Sequence, residues 1–140
     1  MLRKNKADRL VLDTNVFLSA YLSGKFESIA QLVFKHKILL YTCEEQTDEL
    51  WRNLNDKRIK KRLQDTPENI LSNIQKITHS TTIDQRFDRA ADVKDNFLFD
   101  LAYSVKSYFL VTHEIKLRNM KHVGEIQIVS PAELFKILET

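Results

Sequence analysis

The apolar run Leu10-Val11-Leu12 leads directly into Asp13-Thr14-Asn15. Such a run reads as a buried strand that delivers a carboxylate to the edge of a sheet. In open α/β sheets ligands bind in the crevice outside the carboxyl ends of the strands. A carboxylate there is costly unless hydrogen bonds or a cation satisfy it. Three further acids fall at the same edge once the elements are laid out. Glu49 lies about two turns into the helix after the second strand, and Asp95 in the first turn of the helix before the fourth. Glu114 follows the fourth strand directly, after Thr112. Carboxylates that converge repel one another unless a divalent cation sits among them. Oxygen ligands favour Mg²⁺ or Mn²⁺, and no Cys/His cluster points to zinc.

Plainer roles stand beside these. Asp13 can cap the helix that follows it, Glu49 can be a surface acid, and Asp95 can complement a helix dipole. Glu45 is read as the capping partner of Thr42 and is not assigned to the site. Asp100 lies roughly 140° round the helix from Asp95, too far to share one metal with it. The polar neighbours read as supports: Thr14 and Asn15 to hold Asp13, Asp92 at the helix cap, and Thr112 to orient a carboxylate or a metal-bound water. His113, beside Glu114, reads as an exposed loop residue.

The elements that must position these residues alternate between strand and helix. Arg9–Asp13 is the first strand and Thr14–Leu22 the first helix. Gly24 breaks it before a second helix carrying Phe26, Ile29, Ala30, Val33 and Phe34 at helical spacing. Ile38-Leu39-Leu40-Tyr41 is the second strand. Thr42 and Glu45 form a capping-box pattern that opens a helix of about twenty residues. Thr66-Pro67 is a cap with proline at the first helical position. Thr81, Thr82 and Ile83 suggest an edge strand. A helix from Lys94 places Leu98, Leu101, Ala102 and Val105 on one stripe. Tyr108–Thr112 and Ile126–Val129 are strands that flank a short helix, Glu114–Met120. Ser130-Pro131-Ala132-Glu133 is a second capping pattern, before the final helix. Strands separated by helices imply parallel pairing with helices on both faces. The expected fold is α/β, a three-layer α/β/α sandwich with a central parallel sheet of four to five strands, in one domain over residues 1–140.

Composition agrees with an ordinary globular domain. The chain is 43% hydrophobic, with two glycines and two prolines, so short loops and many regular elements are expected. One cysteine, Cys43, cannot form an intramolecular disulfide, which fits a reducing compartment. No run is long and apolar enough to span a membrane, and the polar Met1–Arg9 stretch lacks the apolar core of a signal peptide. A cytoplasmic location without membrane association is the expectation. The net charge of +3 becomes more basic over the remaining surface if several acids are set aside in one metal site. Lys57, Arg58, Lys60, Lys61 and Arg62 are clustered, either as a solvated helix end or as a patch that contacts phosphates.

Taken in order, these segments resemble the PIN-domain family of metal-dependent ribonucleases, and most of all its bacterial members that act as toxins of toxin–antitoxin systems. The matching stretches are Arg9-Leu10-Val11-Leu12-Asp13-Thr14-Asn15-Val16-Phe17, Thr47-Asp48-Glu49-Leu50 and Asp92-Val93-Lys94-Asp95-Asn96 leading into Leu101-Ala102. Leu110-Val111-Thr112 and Ile126-Gln127-Ile128-Val129-Ser130-Pro131 complete the set. The resemblance implies Mg²⁺- or Mn²⁺-dependent cleavage of single-stranded RNA, with Asp13, Glu49, Asp95 and Glu114 as metal ligands. The basic residues at 57–62, with Lys94 and Lys116, would guide the strand toward them. It also implies a small antitoxin partner and a homodimer. In the family the fourth acid is usually an aspartate after a Thr-Gly or Ser-Gly pair, whereas this chain has Thr112-His113-Glu114. Two other readings stand beside it. One is a PIN-like module that binds RNA or an antitoxin without turnover, with the Glu114 departure as its support. The other is a haloacid-dehalogenase-like phosphatase with Asp13 as nucleophile. Such enzymes place a second acid two residues on, where this chain has Asn15.

Overall fold

The computed structural model describes residues 8–84 and 96–139. In chain order its elements are β1 (Arg9–Leu12), α1 (Thr14–Leu22), α2 (Phe26–Lys35), β2 (Leu39–Thr42), α3 (Glu44–Leu54), α4 (Lys57–Lys60) and α5 (Pro67–Ile77). There follow β3 (His79–Ser80), α6 (Asn96–Ser104), β4 (Phe109–Val111), α7 (Ile115–Arg118), β5 (His122–Val123), β6 (Ile126–Val129) and α8 (Pro131–Glu139). Among the described residues the strands form one sheet in the order β3-β2-β1-β4-β6-β5.

The sheet is parallel except at β5, which pairs antiparallel with β6. Strand composition explains its double covering. On β1, Leu10 and Leu12 enter one apolar cluster with Phe17, Leu50, Ile70, Ile74 and Leu134. Val11, between them, enters a second cluster with Leu98, Leu101, Ala102 and Leu117. Successive side chains on a strand point to opposite faces, so both faces of the sheet are buried and helices cover each. The architecture is the α/β sandwich expected from the alternation of elements.

Several local expectations need correction. The sheet has six strands among the described residues rather than four to five, because two are only two residues long. One is β3, which pairs two residues before the expected Thr81–Ile83 segment. The other is β5, joined to β6 through Gly124-Glu125, where Gly124 takes a positive φ of 58° that suits glycine at a tight turn. The helix of about twenty residues is interrupted after Leu54. Asp56 starts α4 by accepting a hydrogen bond on its side chain from the Arg58 backbone N–H. The run at 57–62 therefore opens its own short helix rather than ending a long one.

Other local signals agree with the structure. Thr66 accepts from the Asn69 N–H at the start of α5, with Pro67 in the first turn. At α8 the capping box closes both ways: Glu133 N–H donates to Ser130 Oγ at 3.1 Å, and Ser130 N–H donates to Glu133 Oε1 at 3.1 Å. Among the described residues no helix is long and apolar enough to cross a membrane.

Candidate active site

The connections leaving β1 diverge. One leads to β2 on one side, while β4 lies on the other side, so the crevice between the ends of β1 and β4 is the topological switch point. Open α/β sheets bind ligands there. Register sets the ends side by side: Leu12 is opposite Val111, and Val111 is opposite Val129. Asp13 and Thr112 are thus the next residues out on neighbouring strands. Asp13 N–H still donates to Val111 O at 2.8 Å, and Thr112 N–H to Val129 O at 2.9 Å.

Asp13 is only 5% exposed. Its Oδ2 accepts a hydrogen bond of 2.7 Å from Thr112 Oγ1, which is itself fully buried. The same hydroxyl accepts from the Glu114 N–H at 3.0 Å. One threonine therefore fixes the Asp13 carboxylate and the backbone that carries Glu114. This is the orienting role expected of Thr112. Thr14 and Asn15 do not share it. Thr14 Oγ1 is buried with no hydrogen-bond partner among the described residues, and Asn15 is an exposed residue lining the cleft. Both lie in the first turn of α1.

The cleft beyond Asp13 has a volume of about 1120 Å³. Its walls include Asp13, Glu49 and Glu114, and also Glu45 and Asp48. Asp92, Lys94 and Asp95 lie outside the described residues. Asp100 is buried on α6 and does not line the cleft. Lys57, Arg58, Lys60, Lys61 and Arg62 are all exposed and stand apart from the cleft wall. Arg58 Nε lies 3.8 Å from Asp56 Oδ1. A cation nearer the acids is Arg52, on the cleft wall one turn beyond Asp48 and Glu49.

Glu45 is the main correction. The N-cap of α3 is Cys43, with no side-chain cap bond, so Glu45 is one position too early for a capping box. The reciprocal partner of Thr42 is Gln46 instead. Thr42 Oγ1 donates to Gln46 Oε1 at 2.8 Å, and Gln46 Nε2 donates to Leu12 O at 2.6 Å. Gln46 has no exposed surface. It fastens the first turn of α3 to the last peptide of β1, immediately before Asp13. Residues three and four apart share a helix face, so Glu45, Asp48, Glu49 and Arg52 line the cleft together. That periodicity was visible in the sequence. The clamp through Gln46 carried no local signal.

Among the described residues the oxygen ligands around the cleft are mainly carboxylates, with no histidine or cysteine on its wall. That chemistry suits a hard divalent cation rather than zinc. Among the described residues no three His, Cys, Asp or Glu side chains form a metal-holding group by themselves.

A family model described as PIN domain matches residues 9–116, well over half of the chain, and the chain belongs to that family. PIN domains are generally nucleases that use divalent metal ions, so the protein carries a nuclease-type, hydrolase fold with its acids at the switch point. Comparison with curated proteins gives no match.

Proposed function

We propose that this protein is a Mg²⁺- or Mn²⁺-dependent endoribonuclease that cleaves single-stranded RNA and serves as the toxin of a toxin–antitoxin system. The observation that carries the reading is the buried Asp13 carboxylate, fixed by Thr112 at the switch point of the sheet and facing a cleft walled by four further acids. Asp13 and Glu49 would hold the cation, with Asp95 and Glu114 completing its ligands. A divalent ion there supplies an activated water and neutralises charge that develops on the phosphate.

The chain's own residues do the rest. Thr112 keeps Asp13 in one orientation, and its bond to the Glu114 N–H sets where that acid leaves the strand. Gln46 holds α3 at a constant distance from β1, and with it Glu45 and Glu49. Arg52 and the exposed basic residues of 57–62 attract the phosphates of the approaching strand. The order of the matching segments supports the toxin assignment, with a small antitoxin and a second copy of the chain as partners.

The test is cleavage of labelled single-stranded RNA by purified protein in Mn²⁺ or Mg²⁺, beside EDTA and an Asp13→Asn variant. Metal-dependent cleavage, reduced by more than about 100-fold in the variant, is the expected result; losses of 10–100-fold are typical even for residues that only orient metal ligands. Equal cleavage in EDTA, or by Asp13→Asn, overturns the nuclease reading. For the toxin reading, induced expression should arrest growth in cells carrying the wild type and not in cells carrying Asp13→Asn.

A further inference from the structure

Ten of the described residues line the candidate cleft, and the two of them with apolar side chains, Trp51 and Phe97, are both aromatic. Trp51 lies two residues after Glu49 on α3 and is 40% exposed. Its indole makes no hydrogen bond or ring contact to the described residues, and Phe97 on α6 is half-buried. The remaining wall is charged or amide-bearing. A groove for a peptide partner would offer contiguous aliphatic surface, and this one offers isolated rings among carboxylates.

Electrostatics sharpens the point. Among the described residues five acids and one arginine line the wall, so apart from the cation of the proposed site this surface offers a phosphodiester backbone few of the contacts that usually dominate nucleic-acid binding. The clustered basic residues Lys57, Arg58, Lys60, Lys61 and Arg62 lie beyond the end of α3, apart from the cleft wall. With the phosphate engaged by that cation, a base beside it needs an attraction that does not depend on charge. Aromatic side chains provide it by stacking on bases, which every base permits and which larger ring systems strengthen.

Resting on the ribonuclease reading, we infer that Trp51 is the stacking platform for a nucleobase adjoining the phosphate at Asp13 and Glu49. Phe97 supplies a second aromatic surface of the same subsite. The cleft thereby selects nucleotides whose bases are unpaired and unstacked, purines ahead of pyrimidines. Trp51 is a specificity-determining residue and takes no part in bond breaking.

Trp51 is the one tryptophan in the chain, so tryptophan emission reports on this subsite alone. In the full-length Asp13→Asn protein with Mg²⁺, short oligouridylates carrying a single adenosine should quench that emission to saturation. Replacing the adenosine by an abasic nucleotide should raise Kd by roughly 5- to 100-fold, the range given by loss of one base–aromatic stack. A duplex of the same sequence should leave the emission unchanged. Anisotropy of labelled oligonucleotides extends the test to variants: Trp51→Phe should keep the adenosine preference, and Trp51→Leu, which keeps apolar bulk at an exposed site, should lose it.

Unchanged emission at saturating oligonucleotide overturns the inference, as does an undiminished adenosine preference in Trp51→Leu. Emission that responds only to a protein partner also overturns it. Failure of the wild type to cleave RNA while quenching persists strikes the nuclease reading and leaves the stacking site intact.

Discussion

Two helices of this protein begin with the same four-residue signature and put it to different uses. At α8, Ser130 and Glu133 exchange backbone hydrogen bonds, and the signature does nothing beyond starting the helix. At α3, the helix begins one residue late, at Cys43, so Thr42 turns to Gln46 and Gln46 turns to the end of β1. Glu45 is thereby left on the cleft wall beside Glu49. The lesson is that one residue of offset converts a local cap into a tertiary clamp. The clamp stands where acids from separate elements must be held in register.

Removing the clamp is the strongest way to break this contrast. Gln46→Leu removes the buried hydrogen bonds to Leu12 O and from the Thr42 hydroxyl, at about 1–3 kcal/mol for each group left unsatisfied. Denaturant unfolding should show a loss of about 1–6 kcal/mol, and RNA cleavage at a temperature where the variant is folded should fall as well. Full activity in the folded variant would show that Gln46 only stabilises the protein.

Thr112 and Ser130 stand on neighbouring strands at the same edge and show the contrast again. Thr112→Val removes the bond to Asp13 with little change in shape, and metal-dependent cleavage should drop about 10–100-fold. Ser130→Ala removes a cap and should cost about 1 kcal/mol of stability while kcat/KM stays at the wild-type value. Similar activity losses in the two variants would erase the distinction between them.

The smallest expected effect concerns a third helix start. The Asp65 carboxyl is held below its ordinary value of 3.8, first by the side-chain amide of Asn69 and then by the Thr66 N–H. A lowered folded value means that the contribution is present above the ordinary carboxylate range and disappears as the pH falls through the lowered one. Asn69→Ala should therefore lower Tm slightly at neutral pH, and the difference from wild type should close in acid. A difference that grows in acid would reverse the assigned sign.

The alternation of apolar runs and amphipathic stripes was enough to place the layers of the fold, because burial on both faces of a parallel sheet leaves a strong pattern in Leu10–Leu12 and Leu98–Val105. Asp13 was legible for the same reason: it follows the apolar run Leu10-Val11-Leu12 directly, and few roles suit a carboxylate there. The short strands β3 and β5 were not, since two residues carry no periodicity. Nor was the break after Leu54, where the charged run continues in helix-favouring residues and only the Asp56 cap marks the new start.

By itself, then, the sequence determined the α/β class and the position of Asp13 at the end of the first strand. These follow from periodicities of two and of three to four residues, which are properties of the chain alone. Tertiary structure decided which hydroxyl holds Asp13, that Glu45 belongs to the cleft wall, and that Trp51 and Phe97 both line it. Those outcomes depend on register between strands far apart in sequence, such as Leu12 opposite Val111. They depend also on a buried amide that satisfies one particular carbonyl, which no local pattern encodes.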